Sequence, residues 1–265
     1  MADLPVIGFD SIVTATNITA SAESAGFPAS ALGNPLTYDR FRAPVTGDSE
    51  GKVYLFIDAG SAVSVDYFGI AAHNLGTIAA TVTLYGANEA GLATTLTQFG
   101  TASPTDDAPL LVLETALVRR YWVLCIDPGA VTATEEVDMG VLFIGARMTF
   151  ERCVRGKYRP LPYSRVTEFN VNRSMNGQFV GRTIQRKGFK SSVSFDLMSA
   201  AWVRSTFQLF VKAARTSAYF FAWKPDTYPG EVAFVDTADD IAVEYTGDRD
   251  RMSAAWEMQG LGWDE

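Results

Sequence analysis

Histidine is almost missing from this chain: its 265 residues include one, His73, and only two cysteines, Cys125 and Cys153. A histidine-rich metal site is thereby excluded, and any acid/base chemistry that needs imidazole would rest on His73 alone. The cysteines lie in YWVLCID and FERCVRG, without the short paired spacing of a metal site, and each is expected to be a lone buried thiol. No apolar run approaches the roughly 18 residues that a membrane-spanning helix requires. The opening Met1-Ala2-Asp3-Leu4-Pro5 has no basic stretch leading into an apolar core, so the expectation is synthesis in a cytoplasm without membrane insertion. No serine sits in G-x-S-x-G, and His73-Asn74 reads as a turn after a strand, so Ser-His-Asp chemistry has no support. A two-carboxylate glycosidase has no pocket-forming signature behind it. Asp106-Asp107 reads as a solvated loop, since a calcium ion wants six or more converging oxygens. The chain is expected to be non-enzymatic, with no cofactor and no metal.

What is present is an uneven charge distribution. The net charge is -8, with 48% apolar and 20% charged residues, a globular composition. Residues 1–146 hold 5 basic and 16 acidic side chains, 147–190 hold 11 and 2, and 191–265 hold 6 and 12. An acidic first half joined to a basic middle suits partners steered together by opposite charge. Free nucleic-acid binding fits poorly, because the basic stretch lacks stacking aromatics or a continuous recognition helix and the rest is acidic.

The length suggests two domains, divided at residue 147 by the basic, proline-punctuated stretch Arg147 to Pro162. The fold class expected is mainly β: an N-terminal antiparallel jelly-roll β-sandwich over 1–146 and a C-terminal α+β domain, a sheet with one packed helix, over 147–265. In the first, short runs at 53–58, 63–72, 80–85, 110–114, 121–126 and 141–144 recur about every ten residues with Gly, Asn, Asp and Pro between them. In the second, 166–173 and 178–184 flank a hairpin turn at Ser174-Met175-Asn176-Gly177. Phe189, Val193, Phe195 and Leu197 alternate as a strand; Ser199 then caps a helix whose Val203, Phe207, Phe210 and Ala214 form one stripe. Tyr219, Phe220, Phe221 and Trp223 make an aromatic strand ending at Pro225, and 231–235, 241–245 and 252–259 add further strands. Trp202, Trp223, Trp256 and Trp263 are expected as core or interface anchors rather than as a ligand cage.

NPLTYDRFRA at Asn34–Ala43, YLFIDAG at Tyr54–Gly60 and VDYFGIAAHNLGTIAATVTLYGANE at Val65–Glu89 resemble a discoidin-type, galactose-binding-like jelly roll, with Phe41 where an aromatic, often Trp, is expected. That resemblance implies a possible carbohydrate site on end loops, with Tyr38, His73 and Asn74 as candidate sugar contacts. The second half is similar to the hub domain of distal tail and minor tail proteins of long, flexible-tailed bacteriophages. The similarity rests on the strand before S-A-A-W, the Phe207/Phe210 spacing, and W-x-P at Trp223–Pro225. It implies a structural virion protein of the tail tip: a homo-oligomeric, commonly hexameric ring joining the tail tube protein to the baseplate hub protein. DNA would be passing cargo in its channel during ejection, and the jelly roll would face outward, with host-surface carbohydrate as a possible contact. Assembly would occur in the host bacterial cytoplasm. Arg152, Arg155, Lys157, Arg159, Arg182, Arg186 and Lys187 are the candidate subunit-interface residues. The alternative is a carbohydrate-binding, lectin-like module contacting the host surface.

Overall fold

A computed structural model of the chain describes residues 3–45, 51–90, 95–129, 135–156, 158–160, 163–247 and 250–261. In chain order the strands are β1 (Val6–Gly8), β2 (Ile18–Ala20), β3 (Phe41–Pro44), β4 (Val53–His73) and β5 (Thr81–Ala87). Next come β6 (Thr97–Ala102), β7 (Leu110–Asp127), β8 (Glu136–Gly145), β9 (Met148–Thr149) and β10 (Arg165–Arg173). The last are β11 (Phe179–Ser199), β12 (Tyr219–Ala222), β13 (Val232–Thr237), β14 (Ala242–Tyr245) and β15 (Arg251–Leu261). Between β11 and β12 lie α1 (Ala200–Trp202), a π-helical turn (Val203–Phe207) and α2 (Gln208–Ala213). Among its described residues the protein is mainly β, its pairings antiparallel, with a short 3-10 helix at Ala29–Gly33 and one longer helical segment between β11 and β12. None of its described helices is long and apolar enough to cross a membrane.

The chain divides into two compact units, Val6–Thr149 with Tyr219–Ala222, and Met1–Pro5 with Phe150–Ala218 and Trp223–Glu265. The aromatic strand expected in the second domain is thus a correction: β12 belongs with the first unit, where Val6, Ile7 and Gly8 pair with Ala222, Phe221 and Phe220. All four of its residues are buried, the mark of a strand covered on both faces.

In that first unit the sheet runs β3-β8-β4-β7-β5-β6, with β2 on β4. What reads in sequence as two strands each at 53–58 and 63–72, and at 110–114 and 121–126, is one long strand in each case. Register shifts between Asp58 and Val63 and between Val65 and Tyr67 bend the β4–β7 ladder, so both strands serve two layers. Gly60 takes φ +75° at that bend, a conformation open to glycine at no steric cost. Leu55 and Ile57 from one end of β4 and Phe68 and Ile70 from the other join Trp122, Phe41 and Phe99 in one core. Phe99 meets Phe68 at 6.4 Å and Trp122 edge-on at 5.8 Å, which closes the sheet on itself as an antiparallel jelly-roll sandwich. The back of the β4–β8 layer is covered by β1 and β12. A side chain at Gly69 would come within 2.8 Å of the Phe220 ring, and one at Gly8 within 2.5 Å of Tyr67, so both positions exclude a Cβ.

The second unit is a sheet in the order β10-β11-β15-β13, with β14 on β15, and the helix packed against it. Ser199 caps the helix as expected, its Oγ accepting from the Trp202 N–H at 3.2 Å. Val203, Phe207, Phe210 and Ala214 are all buried. Phe207 and Phe210 lie 5.9 Å from Trp256, and Phe150 stacks on Phe195 at 3.8 Å. One departure from regular helix is the π turn at Val203–Phe207, and one from regular strand is Leu197, at φ +57° in the β11 bulge beside Met198. Cys125 is buried but Cys153 is exposed, which corrects the expectation of two buried thiols. Trp263 lies outside the described residues.

Candidate functional site

The segment before β3 builds one end of the jelly roll. Phe41 is fully buried, which anchors the strand and turns its neighbours Arg40 and Arg42 outward. Ahead of it the Asn34 side chain ties the loop, Oδ1 accepting from the Leu36 N–H at 2.8 Å and Nδ2 donating to Asp39 Oδ2 at 2.9 Å. The loop holds Tyr38 out in solvent at 79% exposure. An aromatic ring presented this openly by a tied loop has no packing role of its own, and its face is free for a planar or apolar ligand surface.

Polar groups converge two residues further along the chain. Arg42 is the register partner of Asp138 on β8, and its Nε donates to Asp138 Oδ2 at 3.1 Å. Arg40 Nη1 donates to Asp138 Oδ1 at 3.2 Å and to the Ala72 carbonyl. The Arg42 guanidinium also lies 4.3 Å above the Phe27 ring. Arg40, Arg42 and Asp138 stay 32%, 37% and 22% exposed, so the network is held in place yet open at its rim. Ala72 adopts φ +53°, a strained conformation for a residue with a Cβ, and such strain concentrates where a surface is shaped for function.

The two other sugar-contact candidates are placed differently. Asn74 spends its amide on the framework: Nδ2 donates to the Glu136 carbonyl at 2.8 Å and Oδ1 accepts from the Asp138 N–H at 2.9 Å. It positions Asp138 rather than a ligand. His73 is not in a turn; it ends β4, only 6% exposed, and its Nδ1 accepts from the Leu75 N–H at 3.2 Å. Its ring offers no face to a sugar. Burial drives its pKa below the ordinary histidine value, with Asp107 and Asp106 opposing the shift. Asp107 itself accepts from the Thr77 N–H at 3.0 Å and hydroxyl at 2.6 Å, closing one loop on another. Among the described residues no group of three or more His, Cys, Asp or Glu side chains could hold a metal ion.

The basic candidates of the second unit divide between framework and surface. Arg155 is committed within its own unit, pairing with Asp196 at 2.5 Å, and the Arg159 backbone exchanges hydrogen bonds with the Ser191 hydroxyl at 3.2 and 3.0 Å. Arg152 is exposed. Arg182 stands on the β10–β11 hairpin with its guanidinium 4.4 Å over Phe169, and Lys187 lies on the same hairpin, opposite Thr167. Lys157 and the Arg186 side chain lie outside the described residues. Around these arginines is an apolar surface the sequence reading did not single out: Phe169, Val171, Phe179, Val180 and Ile184 are 41–68% exposed, and Met175 at the tip is fully exposed. Phe169 faces Ile184 and Val171 faces Arg182, so these side chains share one face, while Asn170 and Thr183, also paired, share the other.

No protein-family model matches this sequence, and no curated protein matches it. Solved structures that resemble it include chitosan-binding module 1 from a chitosanase/glucanase of Paenibacillus sp. IK-5. The identity is 17% and the TM-score 0.43, over 52% of this chain and 99% of that one. The CBM32 of AlyQ in complex with 4,5-unsaturated mannuronic acid is 20% identical, with a TM-score of 0.39 over 52% and 96% of the two chains. A pectin-binding carbohydrate-binding module is 12% identical, at 0.38 over 49% and 88%. The fold read from the strand topology is an antiparallel jelly-roll sandwich in one unit and an α+β sheet in the other.

Proposed function

We propose that this protein is a non-catalytic carbohydrate-binding protein whose jelly-roll unit holds a sugar at the end formed by the Tyr38 loop, β3 and β8. The observation that carries the reading is Tyr38, 79% exposed on a loop tied by Asn34 and two residues ahead of the part-exposed Arg40–Asp138–Arg42 network. A sugar ring offers an apolar C–H face and a rim of hydroxyls. Tyr38 meets the first by stacking, and the guanidinium and carboxylate edges meet the second. Host-surface carbohydrate is the ligand class. Titration calorimetry with glycans chosen from an array tests this: Tyr38→Ala should weaken binding about tenfold, the equivalent of about 1.4 kcal/mol. Unchanged affinity in that variant would count against the site.

A specific observation favours a second role alongside it. The β10–β11 hairpin carries an apolar and basic face that the described residues of its own unit leave exposed, on a chain whose first 146 residues are strongly acidic. That combination supports assembly of identical chains, the basic hairpin of one copy meeting acidic surface of another in a head-to-tail ring. On this reading the protein is a bacteriophage tail-tip component, its ring between tail tube and baseplate hub, with DNA passing through and the jelly roll facing the host. Mass measurement by light scattering at low and high salt checks it: a closed oligomer at low salt that dissociates as salt rises is expected. A monomer at every salt and concentration contradicts it.

A further inference from the structure

We propose that the outer face of the β2–β4–β7–β5–β6 layer is a second carbohydrate surface, separate from the Tyr38 end, that takes an extended, uncharged, β-linked glycan chain. The two outer faces of the sandwich differ. The face behind β4 and β8 is covered by β1 and β12, whereas on this layer the outward Tyr54, Phe56, Thr83 and Tyr85 stay part-exposed and Thr101 exposed. Register places its side chains in rows. Tyr54 is opposite Cys125, which is opposite Thr83, which is opposite Thr101. Phe56 is opposite Val123, which is opposite Tyr85. Tyr54 and Phe56 stack at 6.3 Å with their planes 24° apart, and they and Tyr85 are half-buried. Between these aromatics on β4 and β5, Val123 and Cys125 on β7 are buried, at 2% and 8% exposed, so the three half-buried aromatic side chains form the apolar part of this face.

Hydroxyls continue this surface. Thr83 and Thr101 meet at 3.0 Å, and Thr81 and Ser103 at 2.9 Å. Thr101 Oγ1 also donates to the Val82 carbonyl at 3.1 Å, so Thr83 donates to Thr101 and keeps its own lone pairs as acceptors for an incoming hydroxyl. The charged residues described at its edges are ion-paired: Lys52 with Asp127 at 3.7 Å, and Asp58 with Arg120, where two bonds at 2.8 and 2.9 Å draw the Asp58 carboxyl down to about 2. The rows between those pairs hold no charged side chain to select an ionic ligand. From β4 to β6 three strand spacings of about 4.8 Å give a flat track of about 14 Å. Aromatic rings at one side and hydroxyl pairs at the other match a β-linked chain, a flat ribbon with apolar ring faces and hydroxyl edges.

The test is titration of the whole chain with cello-, xylo- and chito-oligosaccharides of increasing length. Affinity is expected to rise with length and to be insensitive to salt, and to fall at least fivefold in Phe56→Ala and in Thr83→Val. The latter keeps the side chain's shape and so preserves the fold. Tyr38→Ala should leave this binding unchanged, which separates this site from the loop end. Absence of binding by every oligosaccharide, or binding abolished by Tyr38→Ala and unaffected by Thr83→Val, would overturn the proposal.

Discussion

At the scale of single residues, His73 shows how burial converts a suspected ligand contact into a stability determinant. The folded state holds it neutral, with its pKa depressed chiefly by desolvation, while the unfolded chain takes up a proton near pH 6.5. The unfolded state therefore binds more protons below that point, and the linkage sign follows: stability is full above about pH 6.5 and declines as pH falls. Urea midpoints from pH 7.5 to 5 should show this decline, and His73→Gln should flatten it. A wild-type midpoint that rises on acidification would refute the assignment. The sequence allowed Tyr38 to be chosen, because a loop aromatic between turn residues is readable. It also contained the alternation of Arg40 and Arg42 about the core residue Phe41, a signal that could have placed both outward. Asp138 was not readable, since it joins them from about a hundred residues away and is placed by the β3–β8 register. His73 and Asn74 look alike in sequence, but one faces the interior and the other clamps β8.

At the scale of elements, the cap and the apolar stripe of the helix were legible because both are local: Ser199 and the spacing Val203, Phe207, Phe210 need no distant partner. Ser199→Ala removes the cap and the side-chain contact to Glu151, and should cost about 1 kcal/mol, seen as a lower urea midpoint. Phe207→Ala empties the centre of the Phe150, Trp202, Phe210 and Trp256 cluster and should cost about 3–5 kcal/mol. If the two variants proved equally stable, the packing account of this unit would fail. The length of β4 and β7 was not legible. Gly60-Ser61-Ala62 reads as a break, but the chain passes through it as a bulge and continues on the other layer. The short strands β1 and β9 were missed because three and two residues carry no period, and β12 changed units because pairing with Val6–Gly8 is non-local.

At the scale of the whole molecule, the charge blocks, the exposed hairpin and the jelly-roll end are the features on which the proposed binding and assembly rest. The hairpin makes an assembly prediction of its own. Phe179→Ser with Val180→Ser should abolish salt-sensitive self-association while leaving glycan affinity unchanged, because they lie on the exposed part of β11. Coupled loss of both properties would mean that sugar binding depends on assembly, contrary to a site contained in the jelly roll. The most direct test of the central claim is a crystal structure of the chain with its best array-selected glycan bound. The account predicts a sugar ring stacked on Tyr38, with hydroxyls reaching Arg40, Arg42 or Asp138. A bound glycan that leaves the Tyr38 end empty would contradict it.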